Sequence, residues 1–174
     1  MFAGSPSSVL GPALLRAREG APELWKILTA HLPLVSHALE AVGGGPSGWL
    51  HGQLYSVNIL VRSEPARVVF VDWESLAYGP AYFDLACLLF YEATTPEGRS
   101  ELIRAFTDAG GFSPGPASPA EQARLLLETE LFNQLWLIAT LGPGWWTTPG
   151  DPSLGRRRHD VSRSALEACL TALA

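Results

Sequence analysis

The sequence predicts an α+β fold that is predominantly α-helical. Three observations lead there. Apolar residues recur at helical spacing through most of the chain. Two β-rich runs, Asn58-Ile59-Leu60-Val61-Arg62 and Arg67-Val68-Val69-Phe70-Val71, stand close together in the middle. The alternating strand and helix units of a doubly wound sheet do not occur.

The elements follow in order. Residues 1–8 read as a frayed start, small and polar with Pro6. Gly11-Pro12 opens a helix through Ala13–Glu19, and Gly20 ends it. Ala21-Pro22-Glu23 opens a second, with Leu24, Ile27, Leu28, His31 and Leu32 on one face. Pro33 kinks or divides that segment, which resumes from Leu34 to Val42. Gly43-Gly44-Gly45-Pro46 stops it. Trp49–His51 is short and extended. The two β-rich runs then form a hairpin across Ser63-Glu64-Pro65-Ala66. Ala81–Ala93 is helical and almost wholly apolar, the pattern of a buried helix. Thr95-Pro96-Glu97 caps a helix to Ala109, and Gly110–Pro119 is a loop. Ser118-Pro119-Ala120-Glu121 is a capping box for a long helix to about Leu141. Gly142–Gly155 reads as a loop rich in Pro, Gly and Trp, and Arg156–Ala174 as a last amphipathic helix. About five to six helices result, in a single domain spanning residues 1–174.

Composition narrows the function. Hydrophobic residues make up 47% of the 174, enough for a sizeable core. A net charge of −5 argues against a nucleic-acid partner, which needs clustered positive charge. Arg156-Arg157-Arg158 is too short for that and reads as a solvated helix start. Cys87 and Cys169 lie in apolar contexts without ligand spacing, so buried free thiols are expected. With no signal-like N-terminus and no apolar run of spanning length, a cytoplasmic protein without a membrane partner is inferred.

Two polar turns flank the hairpin: His51-Gly52-Gln53-Leu54-Tyr55-Ser56-Val57-Asn58 before its first strand, Val71-Asp72-Trp73-Glu74 after its second. Pairing the strands puts Asn58 beside Asp72. An amide oxygen and a carboxylate are hard ligands that suit Mg²⁺ when phosphate oxygens and water complete its shell.

HGQLYSVNILV and VVFVDWESLAYGPAYFDLACLL resemble the catalytic core of the aminoglycoside phosphotransferase and choline kinase-like family, which shares the protein-kinase fold. The family pattern is His-Gly-Asp, a few residues, then Asn and an apolar strand. A second segment follows, Ile-Asp-Trp-Glu, then Gly-Pro and Asp-Leu-Ala. The resemblance is strongest from Trp49 to Leu89, and the helices that follow fit the family's C-terminal lobe by pattern. It implies a kinase-like C-lobe whose small hairpin carries the catalytic-type loops. It also implies Mg²⁺ and ATP as cofactors and a small-molecule hydroxyl as acceptor. Asn58 and Asp72 would hold the metal and, through it, the nucleotide phosphates. His51 would brace the loop, and Asp84 would accept hydrogen bonds from the loop backbone. Trp73 would pack under the metal site, with Glu74 solvated and Tyr55 a surface or groove aromatic. Glu92, Glu128 and Glu130 are read as solvated helix positions, with a groove for a cationic acceptor as the alternative.

Two departures from the pattern bear on activity. Gln53 stands at the family's base position, where Asp orients and deprotonates the acceptor, and a neutral amide is not a base. The 48 residues before Trp49 read as helices, and the only lysine, Lys26, lies in one of them. No N-terminal ATP-binding lobe is therefore expected. The resulting expectation is a truncated and impaired phosphotransferase-like protein, a pseudokinase that binds Mg-nucleotide weakly. A non-catalytic scaffold is the alternative, with a homodimer or partner protein covering the bare face. So is the C-terminal part of a split or longer phosphotransferase.

Overall fold

Residues 5–93, 95–111, 118–146 and 152–174 are described by the computed structural model. Among them are seven α-helices and four short strands, so the fold is α+β and helix-dominated, as predicted. They fall into two compact units. One comprises Gly45–Leu126, the other Gly4–Gly44 with Leu127–Ala174.

In the second unit, a 3-10 turn Pro6–Val9 leads into α1 (Leu10–Gly20), so part of the stretch expected to fray is ordered. The segment after Gly20 is two helices, α2 (Pro22–Ala30) and α3 (Leu32–Gly44). His31 leaves helical geometry at φ −112, ψ 18, and its ring Nδ1 lies 3.0 Å from the Ile27 carbonyl. Pro33 then occupies the first turn of α3, where its missing N–H costs nothing. This division is one reason the helices outnumber the five to six expected. Ala13, Ala17, Leu24, Leu28, Val35 and Leu39 bury the apolar stripes of the three helices. Lys26 sits on α2 in an exposed ion pair with Glu23 at 3.0 Å.

The first unit begins with β1 (Ser47–Leu50), followed by the hairpin of β2 (Ile59–Arg62) and β3 (Arg67–Phe70). The hairpin register pairs Ile59 with Phe70 and Arg62 with Arg67. A fourth strand, β4 (Ala77–Pro80), pairs antiparallel with β1 and was not anticipated. Ala-Tyr-Gly-Pro carries little strand propensity. What holds it is cross-strand packing: Trp49 and Tyr78 face each other in the register, their rings edge-on at 5.6 Å, and Leu50 and Ala77 are buried.

Helix α4 (Phe83–Glu92) follows, within the predicted span, with Phe83, Leu85, Ala86, Cys87 and Leu89 buried. Tyr82, Leu85, Leu89 and Leu126 form a core cluster, against which Leu102, Ile103 and Phe106 of α5 (Pro96–Asp108) pack. Thr95 caps α5 by accepting the Gly98 N–H at 3.1 Å. The capping box at Ser118 and Glu121 closes with bonds of 3.0 and 3.3 Å.

Helix α6 (Pro119–Trp146) runs past the expected end at Leu141, and α7 (Pro152–Leu173) starts before the expected Arg156. The backbone stays helical through Gly142-Pro143-Gly144, so the predicted loop shrinks from both sides. Its centre, 147–151, lies outside the described residues, as do 112–117 of the other predicted loop and the first four residues. Glu128 corrects one expectation: at 4% exposure it is buried, on a stretch of α6 that also buries Thr129, Asn133 and Gln134. Cys87 and Cys169 are both buried free thiols. No helix among the described residues is long and apolar enough to cross a membrane.

Leu89 is 3% exposed and belongs to the core cluster with Tyr82, Leu85 and Leu126. Leu89→Ala should lower the unfolding free energy by about 2–5 kcal/mol, since a cavity adds to the lost transfer energy. Urea unfolding at constant slope reads this. A loss below about 1 kcal/mol would remove Leu89 from the core.

Candidate active site

The loop 51–58 is neither strand nor α-helix, so its backbone amides need other acceptors. Asp84, in the first turn of α4, supplies two. Its Oδ2 accepts the His51 N–H at 2.7 Å and its Oδ1 the Gly52 N–H at 2.9 Å. Burial raises the Asp84 carboxyl above its ordinary range. The Gly52 and His51 amides and the charge interaction with His51 pull the other way without cancelling the rise.

Gly52 is fixed by its backbone. Its φ is +83, and a Cβ there would collide with the Ser75 carbonyl oxygen. Only glycine allows the first loop to lie this close to the turn after β3. The His51 ring joins the same two segments as well. It is buried, and its Nε2 lies 2.7 Å from the Val71 carbonyl. A carbonyl only accepts, so Nε2 carries the hydrogen. The ring stands 4.6 Å from Trp73 and 6.5 Å from Phe70.

A short 3-10 turn, Ser56–Asn58, ends the loop. Asn58 is buried and held three ways. Its N–H donates to the Tyr55 carbonyl at 2.9 Å, and its own carbonyl accepts the Val71 N–H at 3.0 Å. Its side-chain Nδ2 donates to the Gln53 carbonyl at 3.0 Å. The Asn58–Val71 bond extends the hairpin ladder by one step, so Asp72 is the residue next to Asn58's partner. Asp72 is exposed and left-handed, at φ 66 and ψ 56, the only such non-glycine residue among those described. Asp tolerates that conformation better than most residues, yet it is a strained one. Trp73 is half exposed and anchors itself by donating its indole N–H to the Phe70 carbonyl at 2.8 Å.

The site residues read from the sequence thus lie in one unit, on two loops and the head of α4, which backbone and side-chain bonds join. Gln53 is half-buried and contributes its backbone carbonyl to this network. Glu74 is exposed. Glu92 is exposed too, but not merely solvated: its Oε1 accepts the Ser56 N–H at 2.7 Å. Sequence reasoning missed this contact, because nothing in the spacing of residues 56 and 92 signals it. Tyr55 is half-buried, its ring 5.1 Å from Tyr91. Among the described residues no group of three or more His, Cys, Asp and Glu converges as a metal site. Asn58 and Asp72 stand one residue apart across the hairpin, through the bond from the Val71 N–H to the Asn58 carbonyl. An amide oxygen and a carboxylate are the ligand types that suit Mg²⁺ where phosphates and water complete the shell.

A hairpin between a His-Gly loop ending in Asn and an Asp-Trp-Glu turn, braced by an Asp-Leu-Ala helix, defines a phosphotransferase-like core. The model of the phosphotransferase enzyme family matches residues 9–121, well over half of the chain, and the chain belongs to that family. The match is the one expected from the aminoglycoside phosphotransferase-like motifs and reaches beyond 49–89 on both sides. No curated protein and no solved structure matched in the corresponding searches.

Gly52→Ala combines a disfavoured φ with a collision against backbone. It should destabilise the protein by at least about 2 kcal/mol, read by denaturant unfolding. An alanine variant as stable as the parent would show that the loop and the Ser75 turn do not lie this close. A carbon-detected NMR titration of Asp84 should give a midpoint above the ordinary 3.8, because desolvation outweighs the two N–H bonds. A midpoint at or below 3.8 would reverse that order.

Proposed function

We propose that the chain is an aminoglycoside phosphotransferase-like protein whose loops form a site for Mg²⁺ and a nucleoside triphosphate. Transfer to a small-molecule hydroxyl is impaired by Gln53. The observation that carries the reading is the ladder bond from Val71 N–H to the Asn58 carbonyl, which sets Asn58 one residue from Asp72 across the hairpin. Because Asn58 turns its Nδ2 to the Gln53 carbonyl, its Oδ1 is the atom left to act as a ligand. Asp72, exposed at the head of its turn, adds a carboxylate. The two would hold Mg²⁺, which supplies charge neutralisation on the nucleotide phosphates when bound.

The other residues position this pair. Asp84 holds the His51 and Gly52 amides, and His51 holds the Val71 carbonyl that precedes Asp72. Gln53 follows directly in the same braced loop. In this reading its side chain orients an acceptor hydroxyl by hydrogen bonding but takes up no proton. Phosphoryl transfer rests mainly on positioning and electrostatics, so the remaining activity is low rather than nil.

Titration with Mn²⁺ as a paramagnetic substitute, with and without ATP, tests the site. Asp72→Ala should weaken metal-nucleotide binding by at least about tenfold. Gln53→Asp should raise phosphate transfer from ATP to amino-alcohol acceptors by roughly a hundred- to ten-thousand-fold, the usual worth of a general base. Absence of metal-nucleotide binding in the unaltered protein would overturn the site. Robust turnover by the unaltered protein, abolished in Asp72→Ala, would overturn the impairment.

A further inference from the structure

Glu92 is the last residue of α4, and the metal-site reading makes no use of it. Its Oε1 accepts the Ser56 N–H at 2.7 Å, across 36 residues of chain. Ser56 opens the 3-10 turn that ends at Asn58. The first N–H of such a turn has no partner inside the turn. The preceding residue, Tyr55, provides no side-chain cap. The acceptor therefore comes from another element, and it is an ionisable carboxylate, the stronger kind of acceptor. A second contact accompanies it: the rings of Tyr55 and Tyr91, each one residue before the hydrogen-bonded pair, lie 5.1 Å apart at 46°.

The opposite end of the same helix carries Asp84, which holds the His51 and Gly52 amides. Helix α4 thus presents a carboxylate in its first turn and another at its last residue, and each receives backbone N–H groups of one loop. Gln53, Leu54 and Tyr55 lie between the two anchored points. Asn58 follows the second by two residues.

We propose that Glu92 is a positioning residue: with Asp84 it splints the loop along α4 and fixes the turn that delivers Asn58. The role given to Asn58 rests on the metal-site reading above. The tether itself does not.

The test uses the full chain with Glu92→Ala and the conservative Glu92→Gln, which keeps an acceptor oxygen. Amide hydrogen exchange by NMR reads the tether. In Glu92→Ala the Ser56 amide should exchange about tenfold faster, the loss of one hydrogen bond. His51 and Gly52 should keep the parent rates, and Glu92→Gln should stay near the parent at Ser56. An unchanged Ser56 amide overturns the tether. Equal acceleration at Ser56, His51 and Gly52 also overturns it, because that reports general loosening. Titration with Mn²⁺ and ATP reads the consequence at Asn58. Glu92→Ala should weaken binding by about tenfold and Glu92→Gln by no more than about twofold. Parent-like affinity in Glu92→Ala overturns the positioning role. Should the unaltered protein bind no metal-nucleotide, the proposed function fails, and the exchange rates alone decide the tether.

Discussion

The loop 51–58 takes its shape from one carboxylate. Two consecutive backbone N–H groups, those of His51 and Gly52, converge on the two oxygens of Asp84. Loop backbone of this kind has no ladder to satisfy it, and an unpaired buried amide costs about 1–3 kcal/mol. Desolvation of Asp84 opposes the arrangement, as the raised carboxyl shows. Removing Asp84 would strand two donors at once, so the loop and the head of α4 form a single structural unit. The left-handed Gly52 then brings the loop against the Ser75 carbonyl, and with it the turn that carries Asp72.

From that fixed point the second loop is placed by contacts of different kinds. His51 reaches the Val71 carbonyl, Asn58 takes the Val71 N–H, and the rings of His51 and Trp73 meet. Val71 is thus held at both its donor and its acceptor, immediately before the strained Asp72. A left-handed Asp persists only where its neighbours over-determine it. The doubly bonded Val71 on one side and the Trp73 indole anchored to Phe70 on the other supply that determination. The hairpin between the loops is not the stiff part. Val61, Val68 and Leu60 are each more than half exposed, so the strands transmit register rather than core packing.

How much of this was legible in the sequence depends on the range of the signal. The hairpin, the buried α4 and the caps at Thr95 and Ser118 were legible because their determinants are local: β-branched runs, an apolar helix, cap residues at fixed offsets. The family and the placing of the two polar loops on either side of the hairpin were legible through two motifs in the right order. What was not legible is tertiary. β4 exists because Tyr78 has Trp49 to pack on, which its own four residues do not announce. Glu128 is polar and yet buried, and Glu92 is exposed and yet bonded, and no periodicity distinguishes the two. The continuation of α6 through Gly142-Pro143-Gly144 runs against local propensity altogether.

The same geometry explains how a neutral residue can occupy position 53 without disturbing its surroundings. The fixed contact Gln53 makes in the loop network is its backbone carbonyl, which accepts from the Asn58 side chain. That bond depends on the backbone path, set by Asp84 before Gln53 and by the Ser56–Asn58 turn after it. The identity of the side chain at 53 is therefore uncoupled from the orientation of Asn58. A carboxylate would offer a base there, and an amide offers only a hydrogen bond, while the loop keeps the same path in either case. In the proposed reading, proton acceptance and metal holding are separate properties of one loop. The first rests on one side chain, the second on a backbone fastened at both ends to α4.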